Sequence, residues 1–175
     1  MQISKSFKIL ICLFLLGSFS QQSYSETNYS KNLVVHQNPL DIQKMRFKDF
    51  ELNDVDLSKN KGNIVILNFW ATWCAPCKKE MPSLDKLSEF YPDVIVYPVN
   101  LEKPNINKTV KFYGDLNIKN LKIYFDPEFE LVKLFKLRGL PISILINKEG
   151  KEFARVIGEI DFFDDSFKKF LEQYF

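Results

Sequence analysis

The fold of this chain is decided by the stretch IVILNFWATWCAPCKKEMP, residues 64–82. It opens with Ile64–Trp70, an almost continuous run of β-branched, aliphatic and aromatic side chains. Such a run predicts a strand that is buried on both faces, as in a sheet covered by helices. Pro76 suits the first turn of a helix, so we expect a helix to begin near Cys74.

The two cysteines of this stretch, Cys74 and Cys77, are separated by Ala75 and Pro76. Side chains three positions apart on a regular helix have Cβ atoms about 5–6 Å apart, whereas a disulfide needs about 3.5–4.5 Å. The pair can therefore bridge only if Cys74 stands at the helix start, where free N–H groups and the helix dipole stabilise a thiolate. We predict Cys74 as the exposed nucleophile and Cys77 as the more buried resolving thiol. Ala75 and Pro76 support this site by tuning its reduction potential.

Cysteine content favours redox exchange over a structural role. After residue 25 the chain has no cysteines other than Cys74 and Cys77. A disulfide that closes such a short loop stabilises a scaffold little. Structural zinc takes four ligands, and beyond this pair the chain offers one histidine, His36. We therefore expect no metal, and no cofactor besides the redox-active disulfide.

The first 25 residues have the layout of a secretory signal. Lys5 and Lys8 precede an apolar run over residues 9–16, and Ser23 and Ser25 are small residues at the positions that a signal peptidase reads. As a helix, the run with its weaker continuation spans about 18 Å, short of a hydrocarbon core of about 30 Å. A cleaved signal is favoured, and a retained anchor over residues 7–20 stays open. Either one places the rest of the chain in the periplasm or another extracytoplasmic compartment.

The remaining chain reads as a spacer followed by one domain. Residues 26–45 are polar and mixed, which predicts a flexible spacer with His36 as a solvated residue. We assign residues 46–175 to the domain, which begins with a hairpin over residues 47–58. Further buried strands are expected at residues 94–99 and 141–146, with helical patterns at 109–116, 129–137 and from about 161 onward. This order predicts an α/β fold with a central mixed sheet between helices.

Length and charge narrow the class of protein. A chain of 175 residues fits one domain of this kind after its leader. The formal net charge of +2 is far from the strongly basic balance of proteins that coat nucleic acid. We expect a monomer that does not bind nucleic acid and that meets the membrane only through its N-terminal segment.

The sequence FWATWCAPCKKEMP, residues 69–82, resembles the TlpA/ResA-like branch of the thioredoxin superfamily. Gly139-Leu140-Pro141 before a buried strand strengthens this resemblance. It implies an exported thiol-disulfide oxidoreductase with a thioredoxin-like fold and a central insertion near residues 100–116. Pro141 then matches the family's cis-proline. The Leu140 backbone would pair with an extended client peptide beside Trp73.

The resemblance also implies roles for two polar residues. Glu80 matches an active-site acid that relays the proton of Cys77. Asn68 stands where cytoplasmic thioredoxins carry a buried acid, which leaves the relay to Glu80.

By the same resemblance, the clients are proteins of cytochrome c or cytochrome oxidase assembly. Examples are apocytochrome c and copper-assembly proteins, whose thiols must stay reduced. A membrane thiol donor would restore the dithiol. Two other functions stay open: an oxidant that introduces disulfides, and a non-catalytic docking module that handles thiols or copper.

Overall fold

The computed structural model describes residues 31–175, and within them eight strands form one mixed sheet. The strands are β1 (Leu33–Asp41), β2 (Arg46–Asp49), β3 (Asp54–Asp56), β4 (Ile64–Trp70), β5 (Val94–Asn100), β6 (Tyr124–Phe125), β7 (Ile142–Ile146) and β8 (Lys151–Ile157). The helices are α1 (Ala75–Phe90), α2 (Ile106–Asp115), α3 (Glu130–Leu134) and α4 (Asp165–Leu171), with short 3₁₀ turns at Leu57–Asn60 and Glu172–Tyr174.

The sheet runs in the order β1-β8-β7-β4-β5-β6-β2-β3. Strands β4, β5 and β6 are parallel neighbours, and the other pairs are antiparallel. Every residue of β4 is buried, as its apolar run predicts. Apolar side chains of α1, α2 and α4 cover one face of the sheet, and α3 lies over the other. The expectation of an α/β fold with helices on both faces of a mixed sheet is confirmed.

Two smaller expectations about the elements fare differently. The hairpin over residues 47–58 is present as β2 and β3, with Phe47 opposite Val55, and it joins the sheet through β6. The helical pattern at residues 129–137 yields only the five residues of α3. A φ of 52° at Lys136 is left-handed, and a residue in that conformation cannot continue a helix.

The expected spacer over residues 26–45 is wrong for the part that forms β1. Main-chain pairing with β8 holds this strand, for example with Val35 opposite Ala154. Its side chains are mostly exposed, so it lacks the apolar pattern that marks a buried strand. His36 is not a solvated spacer residue, because its Nε2 lies 2.7 Å from Oε1 of the buried Glu152. Residues 26–30 and the expected signal at 1–25 lie outside the described residues.

Candidate active site

The cysteine pair lies where β4 ends and α1 begins. Cys74 is the N-cap of α1, with an extended backbone at φ −79° and ψ 106°. Its Sγ accepts a hydrogen bond of 3.2 Å from the Cys77 backbone N–H. Pro76 occupies the first turn, where a missing N–H costs no helical hydrogen bond. The Cys74 sulfur therefore faces the positive end of α1, an environment that stabilises a thiolate over a thiol.

In this structure Cys74 and Cys77 form a disulfide, with Cα atoms 5.3 Å apart. Cys77 is fully buried, which agrees with the expected order of exposure. The expectation that Cys74 is exposed is wrong for this oxidised form, in which Cys74 is only 4% exposed. Its side chain packs into the apolar cluster of α1. The neighbouring Trp73 is 70% exposed instead.

The loop before β7 lies at the same end of the sheet. Ile142 pairs with Phe69 of β4, which brings the preceding residues close to the start of α1. The bond between Leu140 and Pro141 is cis, as the resemblance implies. Pro141 accepts a hydrogen bond of 2.9 Å from the Gly158 N–H. Among the backbone hydrogen bonds of residues 31–175, none involves Leu140.

A buried polar network involves Glu80, Asn68 and Ser143. Asn68 Nδ2 donates to Glu80 Oε1 at 2.7 Å and to Ser143 Oγ at 2.9 Å. All three residues are at most 2% exposed. Within residues 31–175, Glu80 Oε2 and Asn68 Oδ1 have no hydrogen-bond partner. The network thus leaves polar atoms unsatisfied, an arrangement that in buried places often marks a functional group.

The pKa of Glu80 is raised from 4.5 to about 8. Burial is the main cause, because it disfavours the charged carboxylate. The Asn68 hydrogen bond and the nearby Ile160 backbone N–H oppose the rise, although no donor among the described residues bonds to Oε2. The negative charge of Glu159 adds to the rise. Glu80 therefore titrates close to the ordinary range of a thiol, about 8.5.

The segment over residues 158–162 adjoins Glu80. Glu159 forms an ion pair of 2.5 Å with Lys79, the residue before Glu80 in α1. The Phe162 N–H donates to Ser83 Oγ at 2.9 Å and fixes the end of the segment. Sequence reasoning missed both Glu159 and Ser143. A polar residue inside the apolar run of β7 was a signal for Ser143, whereas nothing near Glu159 in the sequence pointed to the site.

The residues expected at the site thus lie on three elements that the fold brings together. Cys74, Cys77 and Glu80 belong to the start of α1, Asn68 to β4, and Leu140 and Pro141 to the loop before β7. No group of three or more His, Cys, Asp or Glu side chains within residues 31–175 is arranged to hold a metal ion. The absence of a metal or cofactor from the reaction stays a prediction.

Comparison with known proteins places this site in a family. The model of the AhpC/TSA family matches residues 41–152. The thiol-disulfide oxidoreductase ResA of Bacillus cereus (strain ATCC 10987 / NRS 248) is 31% identical over 163 residues, which covers 87% of each chain.

Two solved structures share the fold. StoA from Bacillus subtilis is 28% identical with a TM-score of 0.60, covering 78% of this chain and 98% of that one. The exposed lipoprotein thioredoxin Etrx1 from Streptococcus pneumoniae is 26% identical with a TM-score of 0.64, covering 75% of this chain and 99% of that one. The chain therefore belongs to the AhpC/TSA family, within the ResA-like branch of the thioredoxin superfamily, and is a thiol-disulfide oxidoreductase.

Proposed function

We propose that this enzyme reduces disulfides of exported client proteins, with Cys74 as the attacking thiolate and Cys77 as the resolving thiol. The observation that carries the proposal is the position of the Cys74 sulfur. It lies at the N-terminus of α1, where it accepts the Cys77 N–H, at the same end of the sheet as the cis-Pro141 loop. These features favour the thiolate and leave a peptide backbone available beside it.

The reaction transfers two electrons from the dithiol to the client. The Cys74 thiolate attacks one sulfur of the client disulfide, forms a mixed disulfide and releases the other client sulfur as a thiolate, which takes up a proton. Cys77 then loses its proton and attacks the Cys74 sulfur. The Cys74–Cys77 disulfide forms, and the second client sulfur leaves as a thiol after protonation. A membrane thiol donor returns the enzyme to the dithiol.

Glu80 is the proposed relay for the Cys77 proton, which its carboxylate form accepts; with a pKa of about 8, this is the minor form at neutral pH. The two residues are three positions apart in α1, so their side chains lie on the same face of the helix. A group with a pKa of about 8 exchanges a proton with a thiol at little cost in free energy. Asn68 supports this role, because its amide fixes the carboxyl group on the inner side of the helix.

The client docks as an added strand against the Leu140 backbone in this proposal. Main-chain hydrogen bonds carry little sequence information, so one surface accepts disulfides from different proteins. Trp73 adds an exposed aromatic contact beside the cysteine pair. Pro141 shapes the loop that presents Leu140 and has no N–H of its own to offer.

We further propose an extracytoplasmic location and clients in cytochrome c or cytochrome oxidase assembly. The location is supported by the signal-like residues 1–25 and by the similarity to a protein named as an exposed lipoprotein. Within residues 31–175 no helix is long and apolar enough to cross a membrane, and tethering through residues 7–20 stays a proposal. The client class rests on the resemblance to the ResA-like branch.

Trapping of the mixed disulfide tests the chemistry directly. Cys77→Ala should accumulate mixed disulfides through Cys74, and mass spectrometry of these adducts identifies the clients. The matched control is the same protein with Cys74→Ser added, which should trap nothing. If the Cys74→Ser enzyme reduces insulin as fast as the wild type, thiol catalysis at this site is excluded.

Two further measurements test the direction of electron transfer and the class of client protein. Equilibrating the cysteine pair with glutathione gives its reduction potential, and a strongly oxidising value would replace the reductase with an oxidant. Loss of the protein should lower the content of c-type cytochromes or of active oxidase, and the wild type but not Cys74→Ser should restore it. Unchanged cytochromes and oxidase in the deletion strain would exclude these clients.

A further inference from the structure

The loop between β4 and α1 is bonded to a side chain that lies just beyond the end of the neighbouring strand β5. The parallel pairing of β4 and β5 ends at Trp70 and Asn100, with one further hydrogen bond of 3.0 Å from Leu101 N–H to Trp70 C=O. Beyond this point the Thr72 N–H donates to Oε2 of Glu102 at 2.6 Å. A carboxylate thus takes the place of the next main-chain acceptor, directly before the cysteine pair.

Glu102 is itself held from several sides. Lys108 of α2 donates to its Oε1 at 2.7 Å, and the Glu102 N–H donates to Asn100 Oδ1 at 2.8 Å. The Glu102 side chain is only 19% exposed. Burial acts to raise its pKa, but hydrogen bonds from Lys108, Thr72 and Asn100 outweigh burial and bring the pKa to about 2. The group is therefore a fixed, ionised acceptor at every pH near neutrality.

The loop that Glu102 holds carries the reacting sulfur and the exposed tryptophan. Thr72 is 9% exposed, whereas Trp73 next to it is 70% exposed. The Cys74 N–H closes the turn on the Ala71 carbonyl at 3.1 Å. In the oxidised form the disulfide also ties Cys74 to α1. Reduction breaks the disulfide. In the reduced enzyme the position of the loop therefore depends more on its hydrogen bonds.

We propose that Glu102 is a positioning residue for thiol-disulfide exchange, which holds the turn of Trp73 and Cys74 in the reduced enzyme. Through Lys108 it also links α2, the helix of the expected insertion, to this turn. The inference rests on the proposed role of Cys74 as nucleophile. Glu102 touches neither sulfur in this assignment; it acts through the Thr72 N–H.

Two substitutions separate the hydrogen bond from the charge. Both Glu102→Ala and Glu102→Gln remove the negative charge, but only glutamine keeps an oxygen that accepts the Thr72 N–H. We expect Glu102→Ala to lower kcat/KM for a peptide disulfide by about tenfold, because a small misplacement of a reacting group is costly. We expect Glu102→Gln to stay within about twofold of the wild type.

Amide exchange and a matched control complete the experiment. In the reduced wild type the Thr72 amide should be protected from hydrogen exchange, and Glu102→Ala should lose this protection while Glu102→Gln keeps most of it. Asp115→Ala breaks the exposed Lys111–Asp115 ion pair on the same helix α2, and it should leave both readouts unchanged.

Several outcomes would overturn the inference. One is a Glu102→Ala enzyme with the kcat/KM of the wild type. Another is a Glu102→Gln enzyme whose kcat/KM falls as far as that of Glu102→Ala. A Thr72 amide that exchanges freely in the reduced wild type would overturn it without any variant, even if Glu102→Ala fails to fold. If Cys74→Ser is inactive while Glu102→Ala is normal, only this inference fails. If Cys74→Ser is active, the proposed function fails with it.

Discussion

Replacing Glu80 with glutamine should change how the stability of the oxidised protein depends on pH. The pKa of Glu80 is raised by burial from 4.5 to about 8, so the native state keeps a proton that the unfolded chain has already released. The resulting stabilisation is complete below pH 4.5, falls as the pH rises and is lost above about pH 8. At about 1.4 kcal/mol per pKa unit, the full change is about 5 kcal/mol.

Glutamine is a matched substitution, because it has nearly the shape of the protonated acid and does not titrate. Urea unfolding of both proteins across this range gives their difference in unfolding free energy at each pH. Other buried acids with raised pKa values, such as Asp126, cancel in this difference. We expect the wild type to lose stability relative to Glu80→Gln by about 1.4 kcal/mol per pH unit between the two pKa values. A difference that stays constant over this range would refute the argument that burial keeps Glu80 protonated.

Four other substitutions have outcomes that follow from the contacts. Glu159→Gln should lower the upper midpoint of the Glu80 titration by roughly 0.3 pH unit, and Lys79→Gln should raise it by a similar amount, because the two charges act oppositely on the carboxylate. Shifts in the same direction would contradict this. Asp85→Ala should lower the free energy of unfolding, measured in urea, by about 3 kcal/mol. The reason is that the Asp85 carboxylate accepts hydrogen bonds from three backbone N–H groups of residues 119–121. A decrease of less than about 1 kcal/mol would contradict this prediction. Trp73→Ala should raise KM for a protein disulfide severalfold, because this side chain is 70% exposed. Its free energy of unfolding should stay within about 0.5 kcal/mol of the wild type. An unchanged KM would exclude contact between Trp73 and the client.

Much of the candidate site was predictable because its signals are local. A buried strand, a helix start at Cys74 and a proline in the first turn all lie within the same short stretch of chain. The order of burial of the two cysteines follows from their positions along one helix turn. The cis bond at Pro141 was expected only through a resemblance, and the structure has it.

Some predictions failed where long-range pairing decides the structure. Strand β1 has mostly exposed side chains and exists because β8 offers its main chain, which lies more than a hundred residues away. The low exposure of Cys74 in the disulfide form likewise depends on packing against α1 and its neighbours, not on the motif. Neither feature leaves a periodic pattern in the sequence.

The sequence by itself determined the reaction class, the place of the cysteine pair at a helix start and the α/β order of elements, because strand burial, helix capping and thiolate stabilisation depend on neighbouring residues. Only the tertiary structure decided that Glu80 is buried against Asn68 and Ser143, and that Glu102 holds the loop before Cys74. The physical reason is that these contacts join separate elements. Desolvation and hydrogen bonding of a carboxylate depend on what the fold packs around it.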